Sequence, residues 1–485
     1  MATRRIRIIG GGLAGPEAAL QAAKFGCEVD LYEMRPTRST EAHQTSDFAE
    51  LVCSNSLKSE SENTAPWILK QEMRRAGSIL LAEADATAVP AGHALAVDRV
   101  EFSKRVAARI AAEPRITVHR EEVTQLHENN DTLTILASGP LTSPALAAEL
   151  QRLTGSDHLA FYDSISPIVD ASTIDMEKVY FAARYDKGTA DYINCPFTKE
   201  EYDRFLDALT TAEAVPAKEW EQIPVENPSC LSSRSEAEGS AFPTDNRQLT
   251  TKNSPQYFEG CLPIEETARR GRDTLRFGPM KPVGLTDPNT GKWPYAVVQL
   301  RQENLRADSY NLVGFQNHLK FGEQNRVLKL IPGLENATFL RYGQIHRNTY
   351  IHAPSLLTET LQLKAHPNIM VAGQLSGVEG YTESIASGML AGIYAAAIAN
   401  GQAPTPAPRL SANGSLTHYI THSETKKFQP ANITFDLLPS LEEDLRKKIR
   451  DKKERHRIQC DRALAAWTNW LELLAENKSL SQAVK

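Results

Sequence analysis

The sequence predicts an α/β fold: a parallel sheet with helices, interrupted by an inserted α+β domain and closed by a helical tail. Three observations predict it. Residues 5–33 run from an apolar stretch through a glycine turn and a small-residue helix into a second apolar stretch that ends on Glu33. Residues 368–392 repeat strand, glycine turn and small-residue helix late in the chain. The block between them changes to short β-branched and aromatic runs with polar connections.

The first stretch carries the most information. Arg5 to Ile9 reads as a strand, Gly10-Gly11-Gly12-Leu13-Ala14-Gly15 as the turn and helix start, and Val29 to Tyr32 as the next strand. Gly10 permits the tight turn, Gly12 lets backbone approach a pyrophosphate, and Gly15 lets the helix lie close on the sheet. The helix N-terminus then offers free N–H groups and a positive partial charge to phosphates. Glu33 stands where a carboxylate binds ribose hydroxyls. Glycines alone could serve a ligand-free βα turn; strand, turn, helix and acid together point to a dinucleotide.

Composition bounds the rest. A chain of 485 residues exceeds one core and divides into two or three domains. Hydrophobic content is 41%, and no run of about 18 apolar residues stands out as a membrane span. The first strand begins at once, so no signal peptide is expected. Cysteines 27, 53, 195, 230, 261 and 460 lack metal-ligand spacing, which predicts no metal site and a reducing cytoplasm. Net charge is −6, but Arg446 to Arg457 holds eight basic residues against two acidic ones. That run is either a solvated helix face or a phosphate-contacting patch.

A polar loop, Arg35 to Ser46, leads into Val52-Cys53-Ser54-Asn55-Ser56. The pattern predicts a helix over Pro66–Ala84 and strands over Ile116–His119 and Leu133–Leu136. Further on it predicts a strand over Val179–Tyr185, a helix over Lys199–Thr211 and strands over Tyr295–Leu300 and Asn311–Val313. Residues 231–256 read as a polar inserted loop. Asn368–Ala372 reads as a buried strand, followed by Gly373-Gln374-Leu-Ser-Gly377-Val-Glu-Gly380 and a helix containing Gly388 and Gly392. A glycine turn so far along the chain suits a second contact on a long cofactor, at its ribityl and flavin end; tight packing alone also explains glycines. With no second GxGxxG, the reading is one held FAD and a nicotinamide reductant that visits. The resulting division is a Rossmann-like FAD-binding domain, 1–173 and 326–438, an inserted α+β domain, 174–325, and a basic C-terminal helical tail, 439–485.

Three segments combine residue types suited to chemistry. They are the Cys53 loop, Tyr257-Phe-Glu-Gly-Cys261 with Gly278-Pro-Met-Lys-Pro-Val-Gly284, and Tyr342-Gly-Gln-Ile-His346-Arg347-Asn348-Thr-Tyr350. A cysteine in a polar loop can become a nucleophilic thiolate. Near a flavin, two cysteines allow dithiol exchange, or thiolate addition to an electron-poor ring while the other moves a proton. Either cysteine could equally be a packing residue. His346 could stack on a planar ligand, transfer protons, or be structural.

These motifs resemble the folate- and FAD-dependent tRNA uracil-5-methyltransferases, the TrmFO family, over about residues 4–440. Gly10–Gly15, Cys53–Ser56, Phe258–Cys261, Gly278–Gly284, Arg347–Tyr350 and Gly373–Gly380 carry the resemblance. It implies methylation of a T-loop uridine of tRNA at C5, with carbon from 5,10-methylenetetrahydrofolate and electrons from NAD(P)H by way of FAD. It implies Cys261 as the nucleophile and Cys53 as its assistant, with the two roles exchangeable. His346 would stack on the pterin, with Arg347 and Asn348 beside it, and Gly373 to Gly380 would cradle the flavin end. Residues 231–256 look inserted relative to the family, with Cys230 at their border. The competing readings are the same chemistry on ribosomal RNA, a flavin dithiol/disulfide oxidoreductase using Cys53 and Cys261, and a flavin-bound RNA-binding protein without catalysis.

Overall fold

Alternation in Arg5–Ile9 buries Ile6 and Ile8 fully and makes this strand the centre of a five-stranded sheet. The order is Ile369–Val371, Thr132–Leu136, Arg5–Ile9, Val29–Tyr32, Ile116–His119, and every pairing is parallel. The computed structural model describes residues 4–40, 42–155, 159–186, 189–215, 262–424 and 428–483, with side chains except at 159–164, 186, 345–347 and 477–483. The polar stretch 231–256, Cys230 and Cys261 lie outside the described residues.

The chain divides into two units, one of residues 1–89, 93–160 and 349–485, the other of 90–92 and 161–348. The sequence reading instead drew its boundaries after 173 and after 325. Two short strands account for the difference. Ile168–Asp170 pairs antiparallel with Ser309–Leu312 on one side and with Phe339–Arg341 on the other, which assigns both edges to the inserted sheet.

In the first unit the helices Ala14–Lys24 and Tyr381–Ala399 pack backbone on backbone. A Cβ at Gly388 would lie 2.3 Å from the Ala14 carbonyl oxygen, and one at Gly392 2.5 Å from that of Ala18. Tyr381–Ala399 is long and apolar enough to cross a membrane, yet 83% of it is buried in protein, as a core helix is. The helix expected over Pro66–Ala84 is two helices, Ala65–Ala76 and Ile79–Ala86. Gly77, at φ +72°, ends the first in a left-handed cap, and the Ser78 hydroxyl accepts from Leu81 N–H to start the second.

The C-terminal residues fold into this unit. Trp467 is buried and its Nε1 donates to the Glu72 carbonyl at 2.7 Å, while Trp470 Nε1 donates to the Thr405 carbonyl at 3.1 Å. The basic run is split between helices Glu443–Lys448 and Lys452–Ala483. Part of its charge is paired locally: Arg457 with Glu454 at 2.6 Å and Asp461 at 2.8 Å, Lys447 with Glu443 at 2.7 Å.

The second unit is built on a six-stranded antiparallel sheet, ordered Tyr180–Ala182, Tyr192–Phe197, Ala296–Gln302, Ser309–Leu312, Ile168–Asp170, Phe339–Arg341. Helix Lys199–Thr211 opens with a capping box between Thr198 and Glu201, and buries Tyr202, Phe205, Leu206 and Leu209 in the core of this unit. The strand expected over Val179–Tyr185 is confined to Tyr180–Ala182, and a 3₁₀ turn follows.

Candidate functional site

Both glycine turns follow parallel strands, at the strands' carboxyl ends, where doubly wound sheets bind ligands. At the first turn Gly10 adopts φ +118°, and a Cβ there would lie 2.2 Å from the Ala137 carbonyl oxygen. A Cβ on Gly15 would lie 1.9 Å from the Gly10 oxygen, so only glycine lets the helix start so close to the turn. Nothing lies within 4 Å of the Cβ position of Gly12, which leaves its face open for a bound group. Leu13 and Ala14 are buried behind it.

Glu33 is 5% exposed and is held on both oxygens. Oε2 accepts from Gly11 N–H at 2.8 Å; Oε1 accepts from the backbone N–H and from Nε of Arg35, each at 2.9 Å. Burial pushes its pKa up, but the hydrogen bond and charge of Arg35 and the two backbone donors outweigh it, so the carboxyl sits below the usual range. Arg35 also binds Glu50 at 3.1 Å, and the Arg120 guanidinium lies over the Phe48 ring at 4.3 Å. These four residues were missed in the sequence; a basic residue two places after the strand-end acid was the available signal.

The second turn carries Gly373, Gly377 and Gly380 at φ +71°, +91° and +108°. Gly373 N–H donates to Ser387 Oγ at 2.8 Å, which ties the turn to the helix behind it. Gln374 Nε2 donates to Glu379 Oε2 at 2.6 Å and closes the loop on itself.

The structure joins Cys53 to this second turn. Cys53 N–H donates to the hydroxyl of Tyr381 at 2.7 Å, and Ser54 N–H donates to the same oxygen at 3.2 Å. Tyr381 directly follows Gly380 at the helix start. Burial first, and then the nearby Cys53, push the phenol well above its ordinary pKa, so it stays protonated. The strand after Cys53 is fastened too. Lys58 Nζ bonds Glu383 at 2.7 Å and Asn432 at 2.8 Å, and buried Lys70 donates to the carbonyls of Leu57 and Ser59, each at 2.8 Å. Burial lowers the Lys70 pKa to about 8.

The cysteines separate sharply. Cys27, Cys195 and Cys460 are fully buried, and burial pushes the thiols of Cys195 and Cys460 up, the latter to about 12. Among the described cysteines only Cys53 is partly exposed. A buried thiol of raised pKa is inert, so Cys53 is the reactive candidate of the four. Cys261 and the side chains of His346 and Arg347 lie outside the description; the backbone of both latter residues is in the strand Ile345–Tyr350. Asn348 is buried, and its Oδ1 has no hydrogen-bond partner among the described residues.

A parallel sheet interrupted by an antiparallel domain, with two glycine turns at its strand ends, defines a Rossmann-type dinucleotide-binding protein. The family model GIDA, glucose inhibited division protein A, matches residues 5–403. The chain is 65% identical to the "Methylenetetrahydrofolate--tRNA-(uracil-5-)-methyltransferase TrmFO" of Koribacter versatilis, over 96% of this chain and 98% of that one. It is 51% identical to the Enterococcus faecalis protein of the same name, over 95% and 97%. Two crystal forms of Aquifex aeolicus GidA superpose with TM-scores of 0.66 and 0.67 at 17% and 16% identity, over 99% of this chain and 76% and 78% of theirs, a likeness of fold alone. The chain belongs to the GIDA family and, within that class, to the TrmFO family.

Proposed function

We infer that this chain methylates a tRNA uridine at C5, with 5,10-methylenetetrahydrofolate as carbon donor and NAD(P)H as reductant of a bound FAD. The target in this reading is the T-loop uridine, converted to ribothymidine. Family membership supports the activity, and one observation carries the site: the Cys53 amide on Tyr381, which fastens a partly exposed thiol loop to the second glycine turn.

The residues fit FAD. The open face of Gly12 and the N–H groups of Leu13, Ala14 and Gly15 suit the pyrophosphate. A carboxylate has about four lone-pair sites. Gly11 and Arg35 occupy three on Glu33, which leaves one for a ribose hydroxyl. Gly373, Gln374, Gly377 and Gly380 would hold the flavin end. Bound there, FAD would supply two-electron transfer and carriage of the one-carbon unit.

The chain's own groups do the rest. Uracil C5 is a poor nucleophile until a thiolate adds at C6. Cys261 makes that S–C6 bond, and the displaced π pair gives an enolate that is nucleophilic at C5. Once the new carbon–carbon bond forms, Cys53 takes the C5 proton and the S–C6 bond breaks. His346 stacks on the pterin with Arg347 beside it, and the unpartnered Oδ1 of Asn348 accepts an N–H of the bound folate. The target base must leave its stack, at a cost of a few kcal/mol. Buried thiols at Cys195 and Cys460 suit a reducing cytoplasm.

The test uses the purified flavoprotein with unmodified tRNA, NADPH and methylenetetrahydrofolate labelled at the methylene carbon. Label in 5-methyluridine is expected, and Cys261→Ala should abolish it with flavin retained. Steady NADPH oxidation without label would replace this reading with a disulfide oxidoreductase. Label entering ribosomal RNA instead would move the same chemistry to another substrate.

A further inference from the structure

A second cluster of chemistry-bearing side chains stands apart from both glycine turns, on helix Ala412–His422 and the loop that holds Glu359. His418 and His422 are one helical turn apart and share a face. Their rings stack at 4.5 Å between centroids and 10° between planes. Glu359 Oε1 lies 3.5 Å from His422 Nε2 and 3.9 Å from His418 Nδ1, and the three donor atoms all fall within 4.8 Å of one another.

The hydrogen bonds decide what this arrangement needs. Thr421 Oγ1 donates its proton to the Thr417 carbonyl at 2.8 Å. The hydroxyl therefore meets His422 Nδ1, at 2.9 Å, as an acceptor, and Nδ1 must carry the ring's proton. In the neutral ring this leaves the Nε2 lone pair facing the carboxylate, and in the imidazolium it places an N–H there. Either a proton on the ring or a bound metal ion satisfies both atoms, and the third donor, His418 Nδ1, converges on the same point as a metal ligand does. The Thr421 contact also fixes ring orientation in the way outer partners of metal-bound histidines do. Arg409 adds positive charge nearby, and its guanidinium is tied to Ser415 Oγ at 2.7 Å.

We propose that Glu359, His418 and His422 form a binding site for a divalent transition-metal ion that prefers imidazole, such as zinc or nickel. Two nitrogens and one carboxylate oxygen suit such ions, with the remaining position left to water. The absence of a metal inferred from cysteine spacing does not bear on it, because the donors here are imidazole and carboxylate. Bound, the ion would clasp the Glu359 loop to the helix.

The test is calorimetric titration of untagged, full-length, flavin-loaded protein with Ni²⁺, alongside thermal melting. One equivalent is expected to bind, with a rise in Tm that follows Ni²⁺ concentration. His422→Ala should weaken binding by at least about tenfold, and Thr421→Ala by about tenfold through loss of ring orientation. Both histidine side chains are at least 40% exposed, so the double variant His418→Asn/His422→Gln should keep its metal-free Tm and its flavin. If that variant does not fold, Glu359→Gln replaces it in the comparison. The proposal is overturned if the wild type binds no Ni²⁺, the outcome of a site that holds only a proton. It is equally overturned if the substituted protein keeps the same stoichiometry, affinity and Tm rise.

Discussion

The two glycine turns, proposed to hold the two ends of one FAD, stand under different constraints. At the first, the atoms that exclude a side chain from Gly10 and Gly15 are backbone: the carbonyl oxygens of Ala137 and of Gly10 itself. At the second, they are side chains. A Cβ on Gly377 would meet the Phe428 ring at 2.4 Å, and one on Gly380 would meet Glu383 and Lys58 at 2.5 and 2.6 Å. Backbone cannot be redesigned locally, whereas a ring or an ion pair can. The first turn is therefore the fixed one, and the second is adjustable through the side chains around it.

The largest expected effect breaks the fixed turn. Gly15→Ala forces a Cβ into a backbone oxygen and should cost about 3 kcal/mol or more. The variant should purify without flavin absorbance, and no single neighbouring substitution should restore it. Gly377→Ala should cost less, about 1–2 kcal/mol for the left-handed backbone plus the ring contact. Adding Phe428→Leu should recover the steric share, read as Tm and flavin content of the double variant. Equal, unrescuable losses at Gly15 and Gly377 would erase the distinction.

Tyr381→Phe sharpens it further. Two backbone N–H groups lose their acceptor, at about 1–3 kcal/mol. Flavin should stay bound while folate-dependent methyl transfer falls about tenfold, because the change touches the Cys53 loop and not the first turn. The smallest effect is confined to acid. Glu33 titrates below its ordinary range in the folded state, so it stabilises above the unfolded value of about 4.5 and that contribution is lost as pH falls through the folded pKa. The wild type should lose stability and flavin on acidification below about pH 4.5, and Glu33→Gln, weaker at neutral pH, should show a flatter profile in urea melts.

What the sequence discloses follows from how local each constraint is. Gly10, Gly12 and Gly15 are legible because strand, turn, helix and acid sit within one short stretch. The Gly373 turn is legible from the buried strand before it and the small residues after it. Tyr381 is not, since the amide it receives is 328 residues away and nothing local marks a phenol as an acceptor. The helix break at Gly77-Ser78 was missed as well, because apolar periodicity runs across it. The domain edges depend on three-residue strands, Ile168–Asp170 and Phe339–Arg341, whose pairing joins distant segments and leaves no pattern of its own.

The backbone contact between the helices Ala14–Lys24 and Tyr381–Ala399 also sets an order of events during synthesis. The first strand, turn and helix leave the ribosome early. The strand Ile369–Val371 and the helix whose Gly388 and Gly392 lie on Ala14 and Ala18 emerge only after the whole inserted sheet. Closing so long a loop costs entropy that the early segment cannot recover alone. The nascent N-terminus therefore waits with part of its apolar helix surface uncovered until that late helix arrives.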